Sequence, residues 1–164
     1  RPQDHSGKRP SMEIVEFCPG HAAAFKALNV AWISKYFALE PKDLEVLDDP
    51  QGQIVAKGGR IFMAVKDAEP VGCVALIRMA DGGYEVAKMT VAETLRGSGL
   101  GRRLMQRGIE AGAEAGATRL YLETNSSLAP ALGLYRAMGF RDVGPPEHRD
   151  YARGDTWMER PYEG

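Results

Sequence analysis

Residues 95–104 read LRGSGLGRRL. Three glycines alternate with small or apolar residues, and arginines stand on both sides. Glycine in a helix interior costs about 1 kcal/mol relative to alanine, yet a long helical pattern follows at once. In return glycine offers positive φ and close approach of the backbone to a ligand. Successive N–H groups ahead of a helix form an anion nest, which the helix N-terminus reinforces. Local charge agrees: from Thr94 to Ile109 there are four arginines (Arg96, Arg102, Arg103, Arg107) and no acid. A phosphate-bearing ligand suits such a site. The competing reading is a strand–helix corner with a solvated basic face. Two other phosphate motifs are excluded: GxxxxGK[ST] is absent, and a GxGxxG beginning at Gly97 would need glycine where Arg102 stands.

On the N-terminal side, MEIVEF (12–17) alternates as a half-buried strand does, and Cys18-Pro19-Gly20 breaks it. His21–Leu39 has helical spacing, with Phe25, Leu28, Trp32 and Tyr36 on one face. Pro41 can start a second helix through Leu47, and Asp49-Pro50 a short third one ending at Gly58-Gly59. RIFMAVK (60–66), VGCVALIRM (71–79) and YEVAKMTV (84–91) read as three strands. Asp67–Pro70 and Asp81-Gly82-Gly83 turn between them, which makes an antiparallel meander. On the C-terminal side the helix runs to about Ala115. Leu100, Leu104, Gly108, Ala111 and Ala115 form its inner face, and Gly116 ends it. TRLYLET (118–124) is a strand. Ser127 can cap a helix through Met138, and strands follow over 140–143 and 155–160. A meander followed by a parallel βαβ crossover predicts one α/β domain with a mixed sheet over residues 12–164. The polar residues 1–11 read as an arm outside it.

Bulk properties narrow the function. A chain of 164 residues, 44% hydrophobic, suits a single core. A net charge of −1 gives no general attraction to nucleic acid or an anionic membrane surface. Two cysteines and three histidines make neither a disulfide framework nor a metal-ligand cluster, so no metal is expected. No apolar run approaches the roughly 18 residues of a membrane span. A cytoplasmic setting is the expectation. Cys18 and Cys73 carry no nucleophile motif.

Taken together, KMTVAETLRGSGLGRRL resembles the R-x-x-G-x-G signature of the GNAT superfamily, the acetyl-CoA-dependent N-acetyltransferases, through Arg96, Gly99 and Gly101. LETNSSLAPALGLYRAMGF is similar to that family's later strand and helix, with Ala131, Leu134-Tyr135 and Gly139-Phe140 at matching spacing. The resemblance covers residues 12 to 160 and implies acetyl-CoA as cosubstrate. It assigns Arg96, Gly97, Gly99, Gly101 and Arg102 to the coenzyme A pyrophosphate, and the backbone of Met89 and Val91 to its amide-rich arm. Such an arm needs partners for its own N–H and C=O groups when buried.

The chemistry that this implies is attack of an amine on a thioester. A free alkylamine has a pKa of about 10.4, so a base is useful, and the leaving thiolate benefits from a proton donor. Tyr135 sits at the family's donor tyrosine; otherwise it is a buried aromatic. Glu85 is the candidate base, four residues before Met89 and so predicted to share its face; otherwise it is a solvent-facing strand residue. Glu123 is a second candidate base. Many relatives carry Asn where Leu128 stands, and Asn125 is the candidate to take over its cofactor contact. Trp32, Tyr36, Phe37 and the loop His148–Tyr151 are candidates for the acceptor pocket. Glu40–Asp49, with five acids and one lysine, reads as a solvated face. The acceptor is a small-molecule or peptide amine, and homodimers are common in the family. The alternatives are a non-catalytic acyl-CoA sensor and an interaction domain that binds a phosphorylated partner.

Overall fold

The computed structural model describes residues 12–163; the expected arm, 1–11, lies outside the described residues. Seven strands form one sheet: β1 (Met12–Glu16), β2 (Arg60–Lys66), β3 (Glu69–Arg78), β4 (Tyr84–Val91), β5 (Arg119–Thr124), β6 (Arg141–Val143) and β7 (Thr156–Pro161). Their order is β1-β2-β3-β4-β5-β7-β6. All neighbours are antiparallel except β4 and β5. The meander is as the alternation predicts. Its first turn is tighter, only Asp67 and Ala68, both at positive φ, the conformation a two-residue hairpin requires.

Four helices cover the sheet: α1 (Ala22–Tyr36), α2 (Pro41–Asp48), α3 (Leu100–Glu114) and α4 (Ala129–Ala137). Leu100, Leu104, Met105 and Ile109 of α3 and Leu132 of α4 pack on Phe62, Val74, Leu76, Val86, Leu120 and Met158. On the other face, Phe25 and Ile33 of α1 and Val46 and Leu47 of α2 pack on Ile61, Met63, Cys73 and Ala75. Burial of each large side chain is worth about 1.5–3 kcal/mol, so both faces of the meander are anchored. The α1–α2 cluster stops at β3, with Ile77 packed against it, and takes in no side chain of β5 or β7.

Several boundaries differ from the sequence expectation. The buried stripe of α1 is Phe25, Asn29 and Ile33, while Tyr36 is 43% exposed. Asn29 is tolerated inside because its amide bonds the Phe25 carbonyl at 2.9 Å and Cys73 Sγ at 3.5 Å. The third helix is a single π-type turn, Gln51–Val55. Ala115 is exposed; Gly112 and Ile109 complete the inner face of α3. Ser127 does not cap α4: its N–H bonds Asn125 Oδ1 at 2.8 Å, and Pro130 fixes the first turn instead.

Candidate active site

β4 and β5 pair only at Tyr84–Leu120 and Glu85–Tyr121. Beyond that they diverge, and the edge of β4 from Val86 to Val91 that faces β5 is left without a strand partner. The gap opens into a cleft of about 850 Å³. It is lined by every residue that the sequence puts forward for cofactor or catalysis: Glu85, Met89, Val91, Arg96, Gly97, Gly99, Gly101, Arg102, Asn125 and Tyr135.

One end of the cleft is made of backbone. Gly97 (φ 79) and Gly99 (φ 90) lie in the left-handed region, which side chains disfavour. The N–H groups of Gly97, Gly99, Gly101 and Arg102 have no hydrogen-bond partner among the described residues. A Cβ at Gly97 or Gly99 would meet nothing within 4 Å, and one at Gly101 would only graze Leu134. Four free donors at the start of a 15-residue helix, with arginines beside them, fit a diphosphate. Arg96 reaches Tyr36 of α1, Nη1 to Oη 2.9 Å, and so closes the loop against the helix.

β4 itself carries a bulge. Ala75 pairs with Ala87 but Cys73 with Thr90, so Lys88 and Met89 together oppose Val74. Lys88 has φ 53. Its carbonyl, lost to the ladder, accepts the buried thiol of Cys73 at 3.2 Å. The extra residue inverts the alternation. Glu85 and Ala87 pair with Ile77 and Ala75 on the α1–α2 face, whereas Met89 and Val91 pack with the α3 cluster. The expectation that Glu85 shares a face with Met89 is therefore overturned. Tyr135 also belongs to the α3–α4 side. The cleft passes through the split sheet, with Tyr135 on one side and Glu85 on the other.

Electrostatics separate these two groups further. Burial pushes the Tyr135 phenol up to about 12, and no hydrogen bond engages it among the described residues; it keeps its proton at neutral pH. Burial, then the nearby Glu123 and Asp150, push Glu85 up to about 7. Glu123 is raised too, by burial, although Trp157 Nε1 donates to its Oε2 at 2.9 Å. A Cβ at Gly154 would press on the end of the Glu123 side chain, so glycine there lets the loop pass close beside it. Thr90, between Met89 and Val91, has a buried hydroxyl without a partner among the described residues.

The other end hangs on a residue that the sequence reading leaves in solvent. Asp43 is fully buried. Lys88 Nζ bonds its Oδ1 at 2.9 Å, and Arg153 grips both oxygens at 2.7 and 2.8 Å. Burial alone would raise Asp43, but the Arg153 and Lys88 bonds win and hold it at about 2. Arg153 also bonds Glu40, and Lys88 Nζ lies 3.2 Å from Tyr151 Oη. α2, the bulge and the loop before β7 are thus tied together, which corrects the solvated reading for Glu40 and Asp43, while Glu45, Asp48 and Asp49 are exposed as expected.

Other candidates fall as follows. Trp32, Tyr36, Phe37 and Tyr151 line the cleft, whereas the His148 side chain is 90% exposed and does not. Asn125 lines it too, but its amide already bonds the Arg153 carbonyl at 2.6 Å and the Ser127 N–H. A cofactor contact from that side chain competes with those bonds. Cys73 is buried, its thiol pushed up to about 12. Cys18 lies outside the cleft, yet His21 Nδ1 stands 3.5 Å from its sulfur, a pair that the sequence reading passes over. No helix among the described residues is long and apolar enough to cross a membrane.

The comparisons agree with this architecture. Residues 24–140 match the model of the acetyltransferase (GNAT) family. An IAA acetyltransferase of Azospirillum brasilense is 41% identical over 87 residues, which are 52% of this chain and 57% of that protein. The chain spans about half the length of the relatives it matches in sequence. Among solved structures, a GNAT-family acetyltransferase of Staphylococcus aureus Mu50 superposes with a TM-score of 0.83 at 19% identity, covering 92% of this chain and 99% of that one. A PaiA N-acetyltransferase of Thermoplasma acidophilum, solved with coenzyme A, gives 0.73 at 14% identity, covering 93% and 99%. The match over 24–140 and the split sheet agree: the chain belongs to the acetyltransferase (GNAT) family.

Proposed function

We propose that the chain is an N-acetyltransferase that moves the acetyl group of acetyl-CoA directly to an amine, both bound at once in the split between β4 and β5. The observation that carries the reading is the make-up of the cleft: four free backbone donors at one end, and across the split sheet a raised carboxylate on one face and a protonated phenol on the other. Acetyl-CoA supplies an activated thioester acyl group. The loop Arg96–Arg102 holds its diphosphate, and the unpaired edge of β4 at Met89 and Val91 holds its amide arm. Glu85 takes a proton from the amine at its carboxylate as the C–N bond forms. Tyr135 Oη gives its proton to the sulfur as the C–S bond breaks.

The test is thiol release from acetyl-CoA across a panel of primary amines, with coenzyme A affinity measured by calorimetry. Amine-dependent release is expected. Tyr135→Phe lowers kcat by about 100-fold and leaves coenzyme A affinity unchanged. Coenzyme A binding without turnover of any amine would favour a sensor. No coenzyme A binding, with a phosphopeptide held instead, would favour an interaction domain.

A further inference from the structure

We propose that the acceptor carries a second cationic group, and that Glu123 binds that group beside the nitrogen that reacts. This rests on the transfer reading, since it names the acceptor class of the same cleft. It comes from accounting for the charges on the Glu85 side of the split sheet. The cations there are engaged. Lys88 and Arg153 are neutralised by Asp43, and Arg153 again by Glu40. Lys42 pairs with Glu45. Arg149 donates to the Gly154 carbonyl and lies over the Trp157 ring, and the next residue, Asp150, adds an acid whose charge reaches both Glu85 and Glu123. The carboxylates are not matched in the same way. Glu85 has no hydrogen-bond partner among the described residues. Glu123 uses Oε2 for Trp157 and leaves Oε1 free.

The two carboxylates face the same space. Glu85 pairs with Tyr121, and Glu123 stands two residues further along β5, on the same side. Two residues along a strand and one step across to the next strand span about 8 Å between backbones, a distance that a short alkyl chain between two nitrogens bridges with the carboxylates reaching inward. Glu123 is also fixed in place, by Trp157 on one side and the close passage of Gly154 on the other. A carboxylate so held costs little further entropy when a cation binds. The apolar wall of Trp32 and Phe37 on α1 suits the methylenes between the charges. An acceptor bearing a carboxylate would meet Glu85 and Glu123, with Lys88, Arg153 and Lys42 already paired to acids.

Diaminobutane, aminobutanol and aminobutanoate share one primary amine and one chain length, and they separate the cases. The expected order of kcat/KM is diamine, alcohol, acid, with about tenfold between the first two. Glu123→Gln keeps an acceptor for Trp157 Nε1, so the fold is retained, and unchanged coenzyme A affinity verifies this. In that variant the advantage of the diamine over the alcohol falls to about twofold or less. Equal or better use of aminobutanoate, or an undiminished diamine advantage in Glu123→Gln, would overturn the inference. The same amines titrated into the coenzyme A complex give binding without chemistry. Diamine binding that depends on Glu123, without thiol release, supports the inference and sinks the transfer reading alone. Absence of any diamine preference in binding overturns the inference whatever the turnover.

Discussion

The two ends of the cleft are built in opposite ways. The end formed by Gly97–Arg102 is backbone from one short stretch, and its ligand donors are main-chain N–H groups. The end formed by Glu85, Glu123, Lys88 and Arg153 is side chain, assembled from β4, β5, α2 and the loop before β7 around one buried carboxylate, Asp43. A backbone cradle does not depend on which side chains flank it, but it fails when a Cβ enters it. A side-chain cluster tolerates small changes of shape and fails when its central charge is removed.

The largest expected effect follows from that second weakness. Asp43→Ala leaves Lys88 and Arg153 without their buried counter-ion and costs about 3 kcal/mol or more of stability, read by urea unfolding. A loss below about 1 kcal/mol would show that the cluster does not hold the acceptor end together. The sign with pH is fixed by its lowered pKa. Asp43 contributes in full above the ordinary 3.8, and the contribution is lost as pH falls through about 2.

Next comes the cradle. Gly101→Val puts branched carbon where the diphosphate would lie, and coenzyme A affinity drops about 100-fold in a calorimetric titration. The unfolding midpoint holds or rises, because valine is the better helix former. Equal damage to affinity and stability would erase the contrast between the two ends.

The smallest effect sharpens it. With Glu85 raised to about 7, kcat/KM climbs as pH rises through 7, and Glu85→Gln removes that limb along with most of the activity. For stability the sign reverses. A raised carboxyl favours the fold fully below the ordinary 4.5, and this is lost as pH rises through about 7. The glutamine variant is therefore the more stable above pH 7, which differential melting at two pH values would check.

The same contrast explains what the sequence made legible. Glycine at Gly97 and Gly99, the arginines and the helix that follows act within a few residues, so their chemistry can be read in order along the chain. Strand alternation exposed the meander and the crossover for the same reason. Asp43 was hidden among five acids because its burial depends on Lys88, 45 residues on, and Arg153, 110 residues on. The bulge left only a faint trace: the polar positions of YEVAKMTV change phase after Val86-Ala87, from Glu85 to Lys88 and Thr90, and the pairing of β3 with β4 is what shows the residue too many. Asn125 looked free for a ligand until the fold brought the Arg153 carbonyl to it.

Lys88 divides β4 into two halves that answer to different neighbours. Before it, Glu85 and Ala87 are the residues that face α1 and α2; after it, Met89 and Val91 pack with the α3 cluster. In the transfer proposed above, a substitution at Ala87 would alter the α1–α2 side of the cleft and leave the packing of Met89 and Val91 untouched. Deleting Lys88 alone would remove the bulge and set Met89 opposite Val74, each half of the strand keeping its face, while Asp43 loses the Nζ that binds it.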